Sequence, residues 1–359
     1  FDDPCKKLSV EEAEARIANG EAFVIRQTIP ETGTTSFDDE VFGRITVDNE
    51  TLDEQILMKS DGFPTYNFAN VVDDHLMGIT DVVRGMEYLS STPKYNLIYN
   101  AFEWEIPRYI HCPPVMKDEH NKLSKRNGDA SFQDLVAKGY LPGAILNYIA
   151  LLGWSPEEDK EIFTLDELVQ AFNVKHIGKV GAIFDPDKLK WINGMWLRGM
   201  DLDSYYDLVK PYIDQAVKGD FDGKKIAAIL QQRAETLVEI PGMLDFFDEF
   251  PAYDNALYVN KKMKTTLDVS LSSLQAAKET LEAMDETNWN QENLHSVLLE
   301  IPKKLERKNG QVLFPLRLAL TGKQFTPGGA IEIADILGKT ETLRRLNLSI
   351  AQLDKEVNA

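Results

Sequence analysis

Residues 92–126, TPKYNLIYNAFEWEIPRYIHCPPVMKDEHNKLSKR, decide the fold. The first part, TPKYNLIYNAFEW (92–104), reads as a helix, with Pro93 suited to its first turn, where a missing N–H is no loss. The second, EIPRYIHC (105–112), reads as extended, and a polar loop, KDEHNKLSKRNGD, follows. Helix, strand and charged loop make half of a nucleotide-binding α/β sheet, in which ligands sit at the carboxyl ends of the strands. The alternation holds from about Tyr66 to Arg126.

Upstream, Ser9 and Glu12 form a capping box for a first helix that Gly20 is placed to end. Short β-prone runs follow: AFVIRQTI (22–29), VFGRITV (41–47) and QILMK (55–59), separated by turns rich in Gly, Pro and Asp. Downstream of residue 130 the chain is helical almost to its end. Ser131/Asp134 and Thr164/Glu167 are spaced as capping boxes. Apolar stripes at helical spacing include Ile145/Tyr148/Ile149/Leu152, Leu165/Leu168/Val169/Phe172 and Leu294/Val297/Leu298/Ile301/Leu305, and they read as core. No period of 20–50 residues repeats, which disfavours a solenoid.

The 359 residues suffice for two to three ordinary domains, and 43% hydrophobic content supports sizeable cores. No apolar run approaches the ~20 residues of a membrane span, and the opening FDDPCKKLSVEEAEA is too polar for a signal peptide. Two cysteines, Cys5 and Cys112, make no disulfide framework and fit a reducing, cytoplasmic setting. The net charge of −19 argues against nonspecific polyanion binding but leaves room for a nucleic-acid partner bound through local fields.

Lys122-Leu123-Ser124-Lys125-Arg126 places three cations and a hydroxyl on one loop beside the expected nucleotide site. Such a loop suits a phosphoryl transition state, whose negative charge spreads over equatorial and leaving oxygens. An isolated basic run would be a solvated loop, but this one is not isolated. Together with FPTYNFANVVDDHLMGITDVVRGMEYLSSTPKYNLIY (63–99) and the stretch after the loop, KLSKR resembles the KMSKS signature of a bacterial glutamyl-tRNA synthetase, a class I aminoacyl-tRNA synthetase. The likeness continues through EIFTLDEL, AIFDPDKLKWINGMWLR, PLRLALTG and TPGGAIEIADILGKTETLRRL, and so covers essentially the whole chain.

The resemblance implies an α/β plus all-α architecture. Residues 1–62 would be the remainder of the acceptor-end insertion, and 63–130 the C-terminal half of a Rossmann-type catalytic domain. Residues 131–200 would form a helical stem-contact domain and 201–359 an all-helical anticodon-binding domain. The implied reaction activates L-glutamate with Mg-ATP to glutamyl-adenylate and passes the acyl group to the 3′ end of tRNA(Glu). Tyr66 and Asn70 would line the glutamate pocket, and Arg84 would hold the substrate's side-chain carboxylate, a task suited to a forked guanidinium. The alternative for Arg84 is a structural ion pair with Asp81 or Glu87. Glu87 and Val115 would meet the ribose and adenine of ATP, and Lys125, with Lys122, Ser124 and Arg126 beside it, would neutralise the phosphates.

The family's HIGH signature is missing from the sequence, as is the first half of the catalytic sheet. We therefore expect this chain to be a truncated form without glutamate-activating activity of its own. His176-Ile177-Gly178-Lys179 imitates the signature but follows the KLSKR loop instead of preceding it. Asp73, Asp74 and His75 suggest a metal or acid/base site, but adjacent residues on a strand face opposite ways, which favours a structural role. No Cys or His stands near Cys5 in sequence, so no zinc is expected.

For tRNA, the resemblance points to Arg233 reading the anticodon's third base and to Arg317 in a similar or bracing role. Lys304 and Arg307, in the cluster Lys303/Lys304/Arg307/Lys308, would contact phosphates. A monomer acting on tRNA, glutamate and ATP, without a membrane partner, is expected. A catalytically silent tRNA-binding fragment is the competing reading. A glutaminyl-tRNA synthetase is disfavoured by the helical second half, and a shortened paralogue that glutamylates a modified base is disfavoured by the presence of that half.

Overall fold

The computed structural model describes residues 4–123 and 131–358. In chain order the elements are α1 (Val10–Ala18), β1 (Ile25–Arg26), β2 (Thr34–Asp39), β3 (Gly43–Asp48), β4 (Ile56–Met58), α2 (Tyr66–Leu76), β5 (Asp81–Gly85), α3 (Thr92–Ala101) and β6 (Arg108–Cys112). Helices alone follow: α4 (Phe132–Ala137), α5 (Pro142–Leu151), α6 (Leu165–Ala171), α7 (Pro186–Gly199), α8 (Leu202–Ala216), α9 (Gly223–Gln231), α10 (Ile240–Leu244), α11 (Leu267–Glu282), α12 (Gln291–Leu298), α13 (Glu300–Lys304), α14 (Asn309–Thr321) and α15 (Ala330–Val357). The chain divides into two compact units, 1–124 with 149–184, and 125–148 with 185–359. The stretch 131–200 is thus shared between them.

The first unit is built on a four-stranded sheet of order β3-β2-β6-β5. β5 and β6 pair in parallel over five residues, Arg84 opposite His111, with α3 as the crossover that a parallel pair requires. The edge of β5 away from β6 carries no strand among the described residues, and Val83 there is 63% exposed. Val71, Tyr95, Ile98 and Tyr99 on α2 and α3 form a small core with Leu57, Phe68, Trp104 and Ile106.

β2 escapes sequence reading because TTSFDD lacks an apolar alternation. It buries Thr35, Phe37 and Asp39, pairs with β3 as a hairpin, and meets β6 at Asp39 opposite Tyr109. An acid is tolerated there because Asp39 Oδ2 lies 2.7 Å from His111 Nδ1, while Oδ1 accepts the N–H groups of Val41 and Phe42. Burial lowers the His111 pKa, although Asp39 pulls the other way. The run 22–29 contributes only the two residues of β1, with Phe23, Val24 and Ile25 exposed.

Two expectations are corrected. Asp73, Asp74 and His75 lie near the end of helix α2, not on a strand, and His75 stacks on Trp104 at 3.9 Å between ring centres. The stripe on α6 is not core throughout. That two-turn helix buries only Leu168, against Trp154 and Phe163, and leaves Leu165, Val169 and Phe172 exposed. Ile149 on α5 is likewise exposed, whereas Ile145 and Tyr148 are buried. The HIG imitation lies in the segment after α6. Ile177 bridges to Trp154, and the Gly178 amide donates to the Gly153 carbonyl at 2.8 Å.

The second unit has one continuous apolar core running from Leu197 to Leu353. Gly338, at φ +75°, breaks α15 into two helical segments. Arg345 is 1% exposed, yet every nitrogen is used. Nη1 donates to the carbonyls of Phe246 (2.7 Å) and Leu320 (2.9 Å), Nη2 to Phe247 (2.7 Å), and Nε to Glu341 (2.6 Å).

Candidate active site

At the carboxyl end of β5, Arg84 points its guanidinium at three ring faces. Its central carbon lies 4.7 Å from the ring centre of Tyr95, 5.3 Å from Tyr88 and 5.7 Å from Tyr109. A quadrupole steadies the charge but accepts none of the guanidinium's N–H bonds. Nε is buried without a partner, and no carboxylate comes within ion-pair distance of Arg84 among the described residues. Asp81, one of the partners weighed for it, instead pairs with Arg108.

The tyrosines are held from behind. The Tyr95 hydroxyl donates to Asn67 Oδ1, Asn67 to Gln55 Oε1, and Gln55 to Gln27 Oε1, each at 2.7 Å. Gln27 closes the relay on the Lys94 carbonyl at 2.8 Å. The Tyr109 hydroxyl donates to Asn96 at 2.8 Å. With the phenols tied down, the rings offer only their faces to Arg84. Burial drives both the Tyr99 and Tyr109 phenols up, Tyr99 to about 12.

Tyr66, Asn70 and Asp74 follow at i, i+4 and i+8 on α2, which sets them along one helix face. Tyr66 lies with its ring centre 6.1 Å from that of Tyr88, and this neighbouring phenol raises the Tyr88 pKa. Asn70 Nδ2 is a second buried donor without a partner. Asp74 has a raised pKa, chiefly from burial, against the opposing charge of Arg84. A cation among aromatic faces and two unsatisfied donors, Arg84 Nε and Asn70 Nδ2, are groups suited to a carboxylate.

Glu87 is exposed on the turn after β5, its carboxylate folded so closely against Gly85 that a Cβ there would push it aside. Val115 accepts the Leu123 amide at 3.0 Å, and Met116 bridges both Lys122 and Ile183. Lys122 is exposed at the base of this hairpin. Ser124, Lys125 and Arg126 lie outside the described residues. No three His, Cys, Asp or Glu side chains gather as a metal site among the described residues.

In the second unit, Arg233 follows α9 and lines a cleft of about 370 Å³ with Lys225, Gln232, Gln291, Asp335 and the Pro327–Gly329 loop. Lys225 pairs with the buried Asp335 at 2.8 Å, while the other Asp335 oxygen is unpartnered. Arg317 is half-buried and donates to the Gln324 carbonyl at 2.7 Å, its Nε unpartnered. Burial, and then the charge of Arg233, lower the Arg317 pKa. Lys304 is exposed, whereas Arg307 is committed to the Val269 carbonyl (3.0 Å) and the Ser273 hydroxyl (2.8 Å) of α11. Sequence reasoning missed Tyr88, Tyr95, Tyr109, Asn67 and the Asp39–His111 pair; the tyrosines are legible only once α3 and β6 are laid beside Arg84.

A mixed α/β sheet with the parallel crossover β5-α3-β6, followed by a helical half, is the architecture of a class I aminoacyl-tRNA synthetase. The family model "tRNA synthetases class I (E and Q), catalytic domain" matches residues 1–191, and "Anticodon binding domain" matches 204–350. The chain is 58% identical to the glutamate–tRNA ligase of Clostridium tetani over 358 residues, covering 100% of this chain and 73% of that protein. It is 54% identical to that of Clostridium acetobutylicum, with 99% and 73% covered. The crystal structure of a glutamate tRNA ligase from Elizabethkingia meningosepticum, in complex with its amino acid, matches with a TM-score of 0.81 at 30% identity, covering 97% of this chain and 72% of that one. The chain belongs to the glutamate–tRNA ligase family, a family of aminoacyl-tRNA synthetases.

Proposed function

We propose that Arg84, Tyr66 and Asn70 bind L-glutamate in this chain, Arg84 taking the side-chain carboxylate. The observation that carries this reading is a guanidinium set among aromatic faces with no carboxylate within ion-pair distance among the described residues, only the charge of the partly buried Asp74 opposing it from farther off, so that its donors remain for a ligand. A charge-assisted, forked pair fits an acidic side chain and rejects its amide, which brings no charge. Glu87 and the Val115 backbone bind the ribose and adenine of ATP. Lys122, Ser124, Lys125 and Arg126 supply the positive field for the triphosphate, and Mg²⁺ enters on the phosphates. The glutamate α-carboxylate attacks the α-phosphorus, pyrophosphate leaves, and a terminal adenosine hydroxyl of tRNA(Glu) then takes the glutamyl group from AMP.

The parts of the chain follow this division of labour: 1–62 toward the acceptor end, 63–130 for activation, 131–200 for the stem and 201–359 for the anticodon. Arg233 and Arg317 face the anticodon and Lys304 the phosphates. Arg307 acts mainly as a brace for α11, given its bonds to Val269 and Ser273. The enzyme acts as a cytosolic monomer; no helix among the described residues is long and apolar enough to cross a membrane.

The test is Arg84→Lys in the gene's full product. Losing a desolvated bidentate partner costs about 2–5 kcal/mol, so the KM for glutamate should rise roughly 30-fold or more, with KM for ATP within about twofold. An unchanged glutamate KM removes Arg84 from the pocket.

A further inference from the structure

We propose that Phe325 is a stacking platform for an unpaired base of the RNA loop that binds beside Arg233. This rests on the reading of the Arg233 face as the anticodon contact and adds to it a residue of a different chemistry.

Phe325 is 83% exposed, more than any other aromatic side chain among the described residues. A single exposed apolar residue is ordinary on a mobile tip. This one sits on a loop fastened on both sides. Gly322 ends α14 at φ +66°, in close approach to Pro251. Lys323 donates its amide to the Thr321 hydroxyl at 3.2 Å and its ammonium to Asp245. The carbonyl immediately before Phe325, that of Gln324, accepts from Arg317 at 2.7 Å. The hydroxyl immediately after it, that of Thr326, donates to the Gly328 carbonyl at 2.7 Å. The backbone therefore holds an apolar ring out into water, which costs solvation, and has already lost the freedom that a binding loop would otherwise give up on docking.

What surrounds the ring selects the partner. The loop continues into Pro327, Gly328 and Gly329, which wall the Arg233 cleft. The guanidinium that pins the loop is Arg317. Its Nε is buried without a partner, and it shares its surroundings with the like charge of Arg233. Neither arginine has a carboxylate within ion-pair distance among the described residues. The exposed Arg233 guanidinium, in a cleft lined also by Glu332 and by the Lys225-paired Asp335, and an exposed ring on the loop that walls that cleft offer a donor fork and a π face at once. A splayed-out nucleotide presents the complementary pair, phosphate or base-edge oxygens with a flat aromatic surface.

The experiment titrates the chain into a labelled anticodon stem-loop RNA and into an unrelated hairpin of equal length, at one salt concentration. Stacking on an aromatic is worth roughly 1–3 kcal/mol per base, so Phe325→Ala should weaken stem-loop binding about tenfold, and Phe325→Trp should hold or tighten it. Phe325→Leu, apolar but without a π face, should follow Ala. With 2-aminopurine placed in turn at each loop position, one position should be quenched by the wild-type chain and not by Phe325→Ala at equal occupancy. Wild-type binding with an unchanged Phe325→Ala constant and quench overturns the inference while leaving the Arg233 reading intact. A wild-type chain that does not prefer the stem-loop to the hairpin overturns the reading, and the inference with it.

Discussion

Arg84 and Arg345 are both withdrawn from water, one in each compact unit, and they are treated in opposite ways. Arg345 has three carbonyls and a carboxylate on its nitrogens, so that each nitrogen is bonded and four of its five N–H donors are used. Arg84 has three aromatic faces around its plane and an Nε that bonds to nothing. The first joins the segment after α10 to α14 and α15. The second carries an unpaid electrostatic debt that folding alone does not settle. Burial does not distinguish them; the count of satisfied donors does.

Exchanging each arginine for methionine is the strongest way to break this contrast. Arg345→Met strands the carbonyls of Phe246, Phe247 and Leu320 and leaves Glu341 without one of its two arginine partners. Removing one member of such a set costs about 3–5 kcal/mol, and the loss should appear in the urea midpoint. Arg84→Met removes a charge that no carboxylate pairs with at ion-pair distance among the described residues, so stability should hold or rise by up to about 1 kcal/mol, although the glutamate site is lost. Equal destabilisation by both would show that Arg84 too is structural.

The acid limb of stability sharpens the same point at Glu341. Its hydrogen bond with Arg344, and then that with Arg345, outweigh burial and draw its pKa down from 4.5 to about 2. A carboxylate depressed in this way stabilises the fold above its unfolded value near 4.5, and the benefit drains away as pH falls toward about 2. Glu341→Gln should therefore be less stable than wild type at neutral pH, with the two curves converging as pH drops through that window. Urea midpoints at several pH values check this, and a gap that stays constant with pH would remove the carboxylate's charge from the account.

How much of this was legible beforehand depends on the range of the interaction. The crossover β5-α3-β6 and the helical second half declare themselves through Pro93, the capping pairs and apolar spacing, all of which act within a few residues. The KLSKR loop and Arg84 stand out through motif resemblance. β2 did not, because its buried members include Thr35 and Asp39, whose burial is made tolerable by Asn49 and by His111, 72 residues away. Asp73 and Asp74 were misplaced on a strand because VVDDH carries β-branched residues that favour strands locally, while packing of Val71 against Tyr95 and Tyr99 makes the segment helical. The tyrosine enclosure of Arg84 is assembled from one residue in the turn after β5, one on α3 and one on β6, so no local pattern announces it.

The smallest expected effect concerns the relay that holds Tyr95. If the enclosure works by fixing ring faces, Asn67 matters to glutamate binding without touching glutamate. Asn67→Leu deprives the Tyr95 hydroxyl of its acceptor and Gln55 of a donor, and an orphaned buried group costs about 1–3 kcal/mol of stability. The freed ring should drift from Arg84 and raise the glutamate KM about threefold to tenfold, with kcat nearly unchanged. Tyr95→Phe removes the hydroxyl itself while keeping the ring. Combining it with Asn67→Leu should recover part of the stability, because a buried pair removed together leaves less unsatisfied than either half removed alone. Recovery of stability without recovery of KM would make the relay a positioning device for the arginine that binds the substrate, because the ring is still untethered in the double variant. Recovery of both would mean that Asn67 serves the fold of α2 and that the ring needs no tether.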